Sequence, residues 1–197
     1  MIDIDELLQA RPQLHRDGQG GWTSWALPDD VLRLIARTVH GRSSTLETGL
    51  GLSTLVFALA GTRHTAIAHH ADEVRRVRRH AATLGLSLDR VTLINDRSEW
   101  ALARLPATPL DLVLIDGRHA FPSPFVDWFF TVDRLRIGGL MMVDDIHLKT
   151  GRILREFMAA DHRFELLAEL GNTVAFTKLA TDINLFEFDR QPWMLHD

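Results

Sequence analysis

The sequence predicts an α/β fold built on a doubly wound, mostly parallel sheet. Three observations support this prediction. Short apolar runs alternate with amphipathic helical stretches, the run LDLVLID at 110 to 116 is apolar almost throughout, and two short strands flank a Gly-Asn turn near the end. Alternating strands and helices are typical of parallel strands joined by crossover helices. An almost unbroken apolar run is typical of a strand that is covered on both faces.

The elements follow one another in a regular order. A helix is predicted over PDDVLRLIARTVHG, from Pro28 to Gly41, because apolar residues recur on one face and the proline and glycine suit its two ends. Further helices are expected from Leu52 and from about Ala71 to Gly85. Strands are expected near 44 to 48, 65 to 68, 91 to 95, 110 to 116 and 140 to 145. FELLAEL and TVAFTKL then predict an antiparallel hairpin at the end.

Composition limits the classes of function. A chain of 197 residues with 46% hydrophobic content predicts one domain over 1 to 197, with an N-terminal flap or extension at 1 to 27. The tail at 180 to 197 can pack back on the domain or cover a neighbouring subunit in a homo-oligomer. The absence of cysteine excludes disulfides and thiolate chemistry. Neither a signal peptide nor a membrane-spanning run is apparent, so a cytoplasmic protein is expected.

Nucleic acid is not an expected partner. The net charge of -4 gives no general attraction to phosphate polymers. Arg75, Arg76, Arg78 and Arg79 form a basic run, but helical spacing spreads them over an outer face. Because no aromatic residues are interleaved with them, a solvated helix face is the preferred interpretation.

The stretch ETGLGLST at 47 to 54 predicts a ligand-binding turn. A strand that ends in Glu47, two glycines and a helix opened by Ser53 place backbone N-H groups and a positive helix end beside a ligand. A dinucleotide fingerprint requires a third glycine at position 54, which is threonine here. Glu47 would repel phosphates and attract an ammonium group. The alternative is a tight strand-to-helix turn that holds no ligand.

Three carboxylates follow the strands at 110 to 116 and 140 to 145. Asp116, Asp144 and Asp145 are expected to converge, because the carboxyl ends of parallel strands border the ligand crevice of an open sheet. Three oxygen ligands suit Mg²⁺ or Ca²⁺ better than zinc. The alternative is that Asp116 caps its turn, that Asp144 or Asp145 caps the next helix, and that the nearby His119 and His147 are surface residues.

Together, ETGLGLST, LDLVLIDGRHAF and RIGGLMMVDDI resemble the class I S-adenosylmethionine-dependent methyltransferases, in particular the small-domain group whose fourth strand ends in Asp-Gly-x-His. The resemblance runs from about Pro28 to Leu179. It implies a Rossmann-like, seven-stranded sheet in which one strand of the terminal hairpin is antiparallel to the rest. It also implies S-adenosylmethionine as cofactor and a small-molecule acceptor.

The resemblance implies a set of cofactor-binding residues: Glu47, Gly49, Gly51, Ser53, His69, Asp96 and Asp116. The position that normally supplies an acid to both ribose hydroxyls is His69, which cannot accept two hydrogen bonds as a carboxylate does. Cofactor binding is therefore expected to be altered there, or His69 is simply a strand-end side chain. Asp96 matches a position near the adenine, and the alternative role for Asp96 or Ser98 is to cap the next helix.

Metal-dependent O-methyltransferases of the superfamily hold a divalent ion at positions that match Asp116, Asp144 and Asp145. Mg²⁺ there would lower the pKa of a hydroxyl group. His147, with His119 as a second candidate, would take the proton. The prediction is thus a methyltransferase that acts on a small-molecule hydroxyl. The alternatives are a non-catalytic binding or scaffold protein with an altered cofactor site, and a nucleotide-dependent oxidoreductase, against which Thr54 and Glu47 argue.

Overall fold

The computed structural model describes residues 2–16, 19–23, 25–181 and 191–194. Most of the predicted tail at 180 to 197 therefore lies outside the described residues. In chain order the elements are α1 (Ile4–Ala10), β1 (His15–Arg16), β2 (Trp22–Thr23), α2 (Asp29–Thr38), β3 (Ser44–Thr48), α3 (Leu52–Leu59), β4 (Arg63–Ala68), α4 (Ala71–Thr83), β5 (Val91–Asn95), α5 (Ser98–Arg104), β6 (Leu110–Ile115), α6 (Ser123–Val132), β7 (Leu135–Val143), α7 (Lys149–Ala160), β8 (Phe164–Leu170) and β9 (Thr173–Lys178).

Seven of these strands form one sheet in the order β5-β4-β3-β6-β7-β9-β8. The pairs β3/β4, β4/β5, β3/β6 and β6/β7 are parallel, whereas β9 is antiparallel to both β7 and β8. The strand order reverses between β3 and β6, and ligands of open parallel sheets bind outside the carboxyl ends at such a reversal. The predicted Rossmann-like, seven-stranded sheet with a terminal antiparallel hairpin is confirmed.

Different helices cover the two faces of the sheet. Helices α1 to α4 share a hydrophobic core with Leu112 and Leu114 of β6, and α5 to α7 share a second core with Val113 and Ile115. Successive side chains of a strand point to opposite faces, so the apolar run in β6 supplies both cores. The doubly wound arrangement follows from this pattern, as predicted.

Two predicted boundaries are wrong. The first predicted helix is shorter than Pro28 to Gly41, and covers Asp29–Thr38. Strand β7 begins at Leu135 instead of near 140, because Leu135 already pairs with Leu110 before the register shifts. Gly138, with a φ of 77°, lies in this first part of the strand and interrupts its apolar pattern. Asp144 and Asp145 follow the end of β7.

The N-terminal region packs on the domain through α1, which was not predicted. Asp3 caps this helix and forms a capping box with Glu6, while Leu7 and Leu8 enter the first core. The short strands β1 and β2 pair with each other. They are tied to α4 because the guanidinium of Arg76 donates to the carbonyl of Leu14. No helix in the described ranges is long and apolar enough to cross a membrane.

Candidate active site

A cavity of about 880 Å³ opens at the carboxyl ends of the central strands. This volume is in the range of small-molecule sites. Nine of the sequence-predicted residues line it: Gly49, Gly51, Ser53, His69, Asp96, Asp116, His119, Asp144 and Asp145. Glu47 and His147 are not among the lining residues. The topology therefore brings almost the whole predicted set into one cavity.

The turn after β3 requires glycine at position 49. Gly49 has a φ of 89°, and a Cβ atom there would lie 2.2 Å from the carbonyl oxygen of Asp116. The backbone is fixed on both sides, since the N-H of Gly49 donates to Ile67 at 2.8 Å and the N-H of Asp116 donates to Thr48 at 3.0 Å. The glycine thus allows the ends of β3 and β6 to approach each other, which leaves bare backbone beside the cavity.

Glu47 lies behind this turn and is 1% exposed. Its Oε2 accepts a hydrogen bond from Ser53 Oγ at 2.7 Å, and its Oε1 accepts from the hydroxyl of Thr54 and from His64 Nε2 at 3.1 Å. The structure therefore shows Glu47 as the anchor of the turn. Glu47 does not line the cavity, whereas Ser53, which donates to it, does. The attraction of Glu47 for an ammonium group of the cofactor stays a prediction.

Thr54, which breaks the dinucleotide fingerprint, has a defined role in this network. Its hydroxyl accepts a hydrogen bond from the N-H of Gly51 at 3.0 Å and donates to Glu47. It thereby satisfies a backbone donor at the start of α3.

His64, which also bonds Glu47, was not predicted from the sequence. His64 lies two residues before the buried Ala66 in β4, and alternation along a strand places both side chains on the same buried face. That alternation could have identified His64 as a buried residue.

The wall formed by the end of β4 carries two adjacent histidines. The rings of His69 and His70 lie 3.7 Å apart between centroids, and both side chains are exposed. Even so, the part of the His69 ring that the protein shields from water, together with the neighbouring His70, lowers the pKa of His69 and favours its neutral form. Two residues that were not predicted, His15 and Glu73, line the same part of the cavity.

Asp96 lies at the edge of the cavity after β5. Its carboxylate accepts from the N-H of Arg97 at 2.8 Å and is bonded by the guanidinium of Arg104. The alternative that Asp96 or Ser98 caps the following helix is wrong, because Arg97 occupies the N-cap position and no side chain caps α5. Asp96 therefore stays a predicted adenine contact.

The opposite wall carries acidic groups and a histidine. His119 Nε2 lies 2.9 Å from Asp145 Oδ2, and His147 Nδ1 lies 3.4 Å from Asp145 Oδ1. Asp145 has a φ of 55°, an uncommon backbone conformation for a residue other than glycine. The capping alternative for Asp144 and Asp145 is wrong, since Leu148 is the N-cap residue of α7 and no side chain caps it. Asp144 and Asp145 therefore do not cap α7.

The acidic groups perturb one another. Burial raises the pKa of Asp116 well above its ordinary value, and the charges of Asp144, Glu47 and Asp145 add to the rise. Burial also raises the pKa of Asp144. The hydrogen bond between His119 and Asp145 raises the pKa of the imidazole and lowers that of the carboxylate. Shifts of this kind in a cleft are typical of functional sites.

The donor atoms that converge differ from the predicted metal-ligand set. Within the described ranges, ligand atoms of Asp116, His119 and Asp145 all lie within 4.8 Å of one another. Asp144 is not part of this group, and its Oδ1 accepts a hydrogen bond from the hydroxyl of Thr173. His119 thus joins Asp116 and Asp145 as a convergent donor, and the role of Asp144 as a metal ligand stays a prediction.

Solved structures with the same fold include several methyltransferases. A candidate O-methyltransferase from Klebsiella pneumoniae matches with a TM-score of 0.71 and 18% identity over 90% of each chain. An rRNA methylase from Streptococcus thermophilus matches with a TM-score of 0.62 and 16% identity over 80% of this chain and 100% of that one. A candidate methyltransferase from Streptococcus mutans, in complex with S-adenosylhomocysteine, matches with a TM-score of 0.58 and 14% identity over 78% of this chain and 99% of that one.

At these identities the solved structures establish the fold alone, and the family rests on the sequence itself. No curated protein matches the chain. The model of a family described as a methyltransferase domain matches residues 46–146, which is more than half of the chain. The matched region runs from within β3 to the acidic groups after β7, so it contains both the glycine turn and the acidic wall of the cavity. The chain belongs to this methyltransferase family.

Proposed function

We propose that this methyltransferase uses S-adenosylmethionine to methylate a hydroxyl oxygen of a small molecule. The observation that carries the proposal is the His119–Asp145 pair, which lies 2.9 Å apart in the same cavity as the glycine turn. The His119–Asp145 pair suits removal of a hydroxyl proton, and the glycine turn suits a cofactor with an amino-acid group.

The residues of the cavity fit a cationic cofactor. Asp116 and Asp144 are carboxyl groups with raised pKa values, so their negative charges are poorly compensated within the protein. A sulfonium or ammonium group in the cavity would stabilise those charges. Bare backbone at Gly49 and Gly51, with Ser53 beside it, would hold the methionine part. S-adenosylmethionine supplies an electrophilic methyl group.

His119 is the group best placed to accept the hydroxyl proton. Its hydrogen bond to Asp145 raises the pKa of the imidazole, which increases its capacity to hold a proton. Asp145 also orients the ring, as the partner carboxylate does in other histidine bases. His147 contacts the same carboxylate at 3.4 Å but is not a lining residue of the cavity. We therefore assign the proton transfer to His119 and give His147 a supporting role.

A metal ion is a second way in which this wall can act. The convergent donors Asp116, His119 and Asp145 combine two carboxylates with an imidazole. Mg²⁺ prefers oxygen ligands, whereas imidazole suits transition metals. An ion held there would therefore be Mn²⁺ or Fe²⁺ in preference to the Mg²⁺ that the sequence suggested. Full methyl transfer in excess chelator would exclude this role.

The experiment is a transfer assay with S-adenosylmethionine that carries a labelled methyl group. Purified protein is incubated with a panel of small hydroxyl compounds and, separately, with RNA, because methylases of RNA share the fold. Label in a small hydroxyl compound supports the proposal. Label in RNA alone would contradict the small-molecule acceptor, and no transfer to any acceptor would favour the non-catalytic alternative.

His119→Gln and His147→Gln form a matched pair for this assay, because both histidines contact Asp145. General-base catalysis contributes roughly a hundredfold to ten-thousandfold, so His119→Gln should lower the transfer rate by about that factor. The affinity for S-adenosylhomocysteine should be unchanged. His147→Gln should retain most of the activity, and the reverse ranking would assign the base to His147.

A further inference from the structure

Glu73 lies close to the point where the cofactor pocket departs from the family pattern. It follows His69 by four residues, in the first turn of α4, and its side chain is 16% exposed. It lines the same cavity as His69 and the glycine turn. One helical turn therefore separates the expected position of the ribose-binding acid from a carboxylate that borders the cavity.

His15 holds this carboxylate in place. His15 Nδ1 lies 3.4 Å from Glu73 Oε1, and the imidazole stacks on Trp25 with ring centroids 5.5 Å apart. The other ring nitrogen lies 3.2 Å from where a Cβ atom on Gly51 would be. The ring thus spans the space between the glycine turn and α4, and fixes Glu73 at the side of the cavity.

The remaining oxygen of Glu73 can serve a ligand. Among the described residues, His15 is the side chain that hydrogen-bonds Glu73, and it uses only Oε1. Burial opposes ionisation of Glu73, but the hydrogen bond and charge of His15, together with the charges of His70 and Arg76, hold the pKa below its ordinary value. An ionised carboxylate accepts hydrogen bonds only, which suits a pair of hydroxyl groups.

The ribose of an adenosine cofactor carries two adjacent hydroxyls. In doubly wound folds an acidic residue about 20 residues after the glycine turn accepts a hydrogen bond from a ribose hydroxyl. Here that distance from Gly49 leads to His69, whose neutral ring offers one donor and one acceptor. Glu73 is the carboxylate of the α4 first turn that lines the cavity, whereas its neighbour Asp72 pairs with Arg75 and is not among the lining residues.

We propose that Glu73, oriented by His15, accepts the hydrogen bonds of the cofactor's ribose hydroxyls in place of His69. This inference rests on the proposed cofactor and names the residue that recognises its ribose hydroxyls. Glu73 is the binding residue, and His15 is a positioning residue that acts through it. The N-terminal region is thereby part of the cofactor site.

The test compares two ligands by calorimetry: S-adenosylhomocysteine and its 2′,3′-dideoxy analogue. Hydrogen bonds to a charged group correspond to roughly tenfold to hundredfold in affinity, so the wild-type protein should prefer the hydroxylated ligand by about that ratio. In Glu73→Gln the ratio should fall by about tenfold. The ratio compares two ligands on one variant, so partial unfolding does not change it.

Three further variants complete the design. Glu99→Gln changes another carboxylate that lines the cavity, at the first turn of α5, and should keep the wild-type ratio. His69→Ala should also keep it. His15→Ala should lower the ratio, and His15→Asn, which retains a donor, should restore part of it. This rescue would not be expected if His15 merely packed against Trp25.

The outcomes separate the two proposals. Wild-type protein that binds neither ligand would overturn the proposed cofactor, and the assignment of Glu73 would fall with it. Protein that binds S-adenosylhomocysteine with the full preference for hydroxyls in Glu73→Gln would overturn the assignment of Glu73 alone. A ratio that collapses in His69→Ala and survives in Glu73→Gln would return the role to His69.

Discussion

The two walls of the cavity are built in opposite ways. In the glycine turn the single buried carboxylate, Glu47, has three hydrogen-bond donors, and the backbone is fixed by contacts on both sides. In the wall after β6 and β7, Asp116 and Asp144 are crowded together and their pKa values rise. In the proposed function, the glycine turn provides a fixed shape for the cofactor and the wall after β6 and β7 provides the reactive groups.

The largest expected effect is at Gly49. A methyl group there would meet the backbone of Asp116 at 2.2 Å, in a conformation with positive φ. Gly49→Ala should therefore lower the free energy of unfolding by about 4 kcal/mol, measured by urea denaturation. Gly85→Ala is the matched control, since Gly85 also has a positive φ but nothing within 4 Å of its added Cβ.

The control should cost only about 1–2 kcal/mol, the penalty of the left-handed conformation. If Gly49→Ala cost no more than Gly85→Ala, the close approach of β3 and β6 would not be the reason for the glycine. The fixed shape of the turn would then need another explanation.

The next effect is at Glu47. Glu47→Gln removes the charge and introduces N-H donors where three donors already point, so it should lower the free energy of unfolding by about 3 kcal/mol. Thermal or urea denaturation at neutral pH measures this. Glu99→Gln, at the rim of the cavity, should change stability by less than about 0.5 kcal/mol. Equal effects of the two variants would show that the network around Glu47 is not stabilising.

Asp127 of α6 is a buried carboxylate outside the cavity lining and provides a pH-dependent test. It is 1% exposed, and burial raises its pKa to about 6, although Ser98 and Thr48 oppose the rise. The folded state then binds more protons than the unfolded state between about pH 4 and pH 6. The contribution of Asp127 to stability is thus lost as the pH rises through this interval.

Asp127→Asn should raise the free energy of unfolding by up to about 3 kcal/mol at pH 8. The gain should disappear near pH 4, and urea denaturation at the two pH values measures it. The exposed Asp89 offers a control, Asp89→Asn, which should show no such difference. A gain that is the same at both pH values would contradict the assigned cause.

The smallest stability effect is expected at Asp116, and its sign is opposite to that at Glu47. Asp116→Asn removes a buried charge that Asp144 and Asp145 disfavour, so it should raise the free energy of unfolding by about 1 kcal/mol. The same variant should weaken the binding of a cationic cofactor. A stabilised variant with weakened binding would support the difference between the two walls, and a destabilised variant would contradict it.

The sequence predicted the parts of this structure that depend on local pattern. The strand β6 was found because its apolar run extends through both faces, and β3 and β5 because each short run lies between helical stretches. The start of β7 was missed because Arg136 and the two glycines, Gly138 and Gly139, hide the apolar pattern of the strand. The capping box of α1, Asp3 with Glu6, was present in the sequence but was not used.

The sequence predicted which residues belong to the site, but it did not predict the contacts between them. The carboxyl-end rule places Asp116 and Asp145 at the cavity without further information. The bond between Glu47 and His64 depends on the register of β3 against β4, and the approach of His15 to Glu73 joins segments 58 residues apart. Such contacts are set by packing and leave no local signal.

A crystal structure of the protein grown with S-adenosylhomocysteine at millimolar concentration would show whether this cavity is the cofactor site. We expect the ligand in the cavity between the glycine turn and Asp116, with its adenosine on the side of Glu73 and Asp96. Crystals in which the cavity holds no ligand, or in which the ligand lies outside it, would contradict the claim that this cavity is the cofactor site.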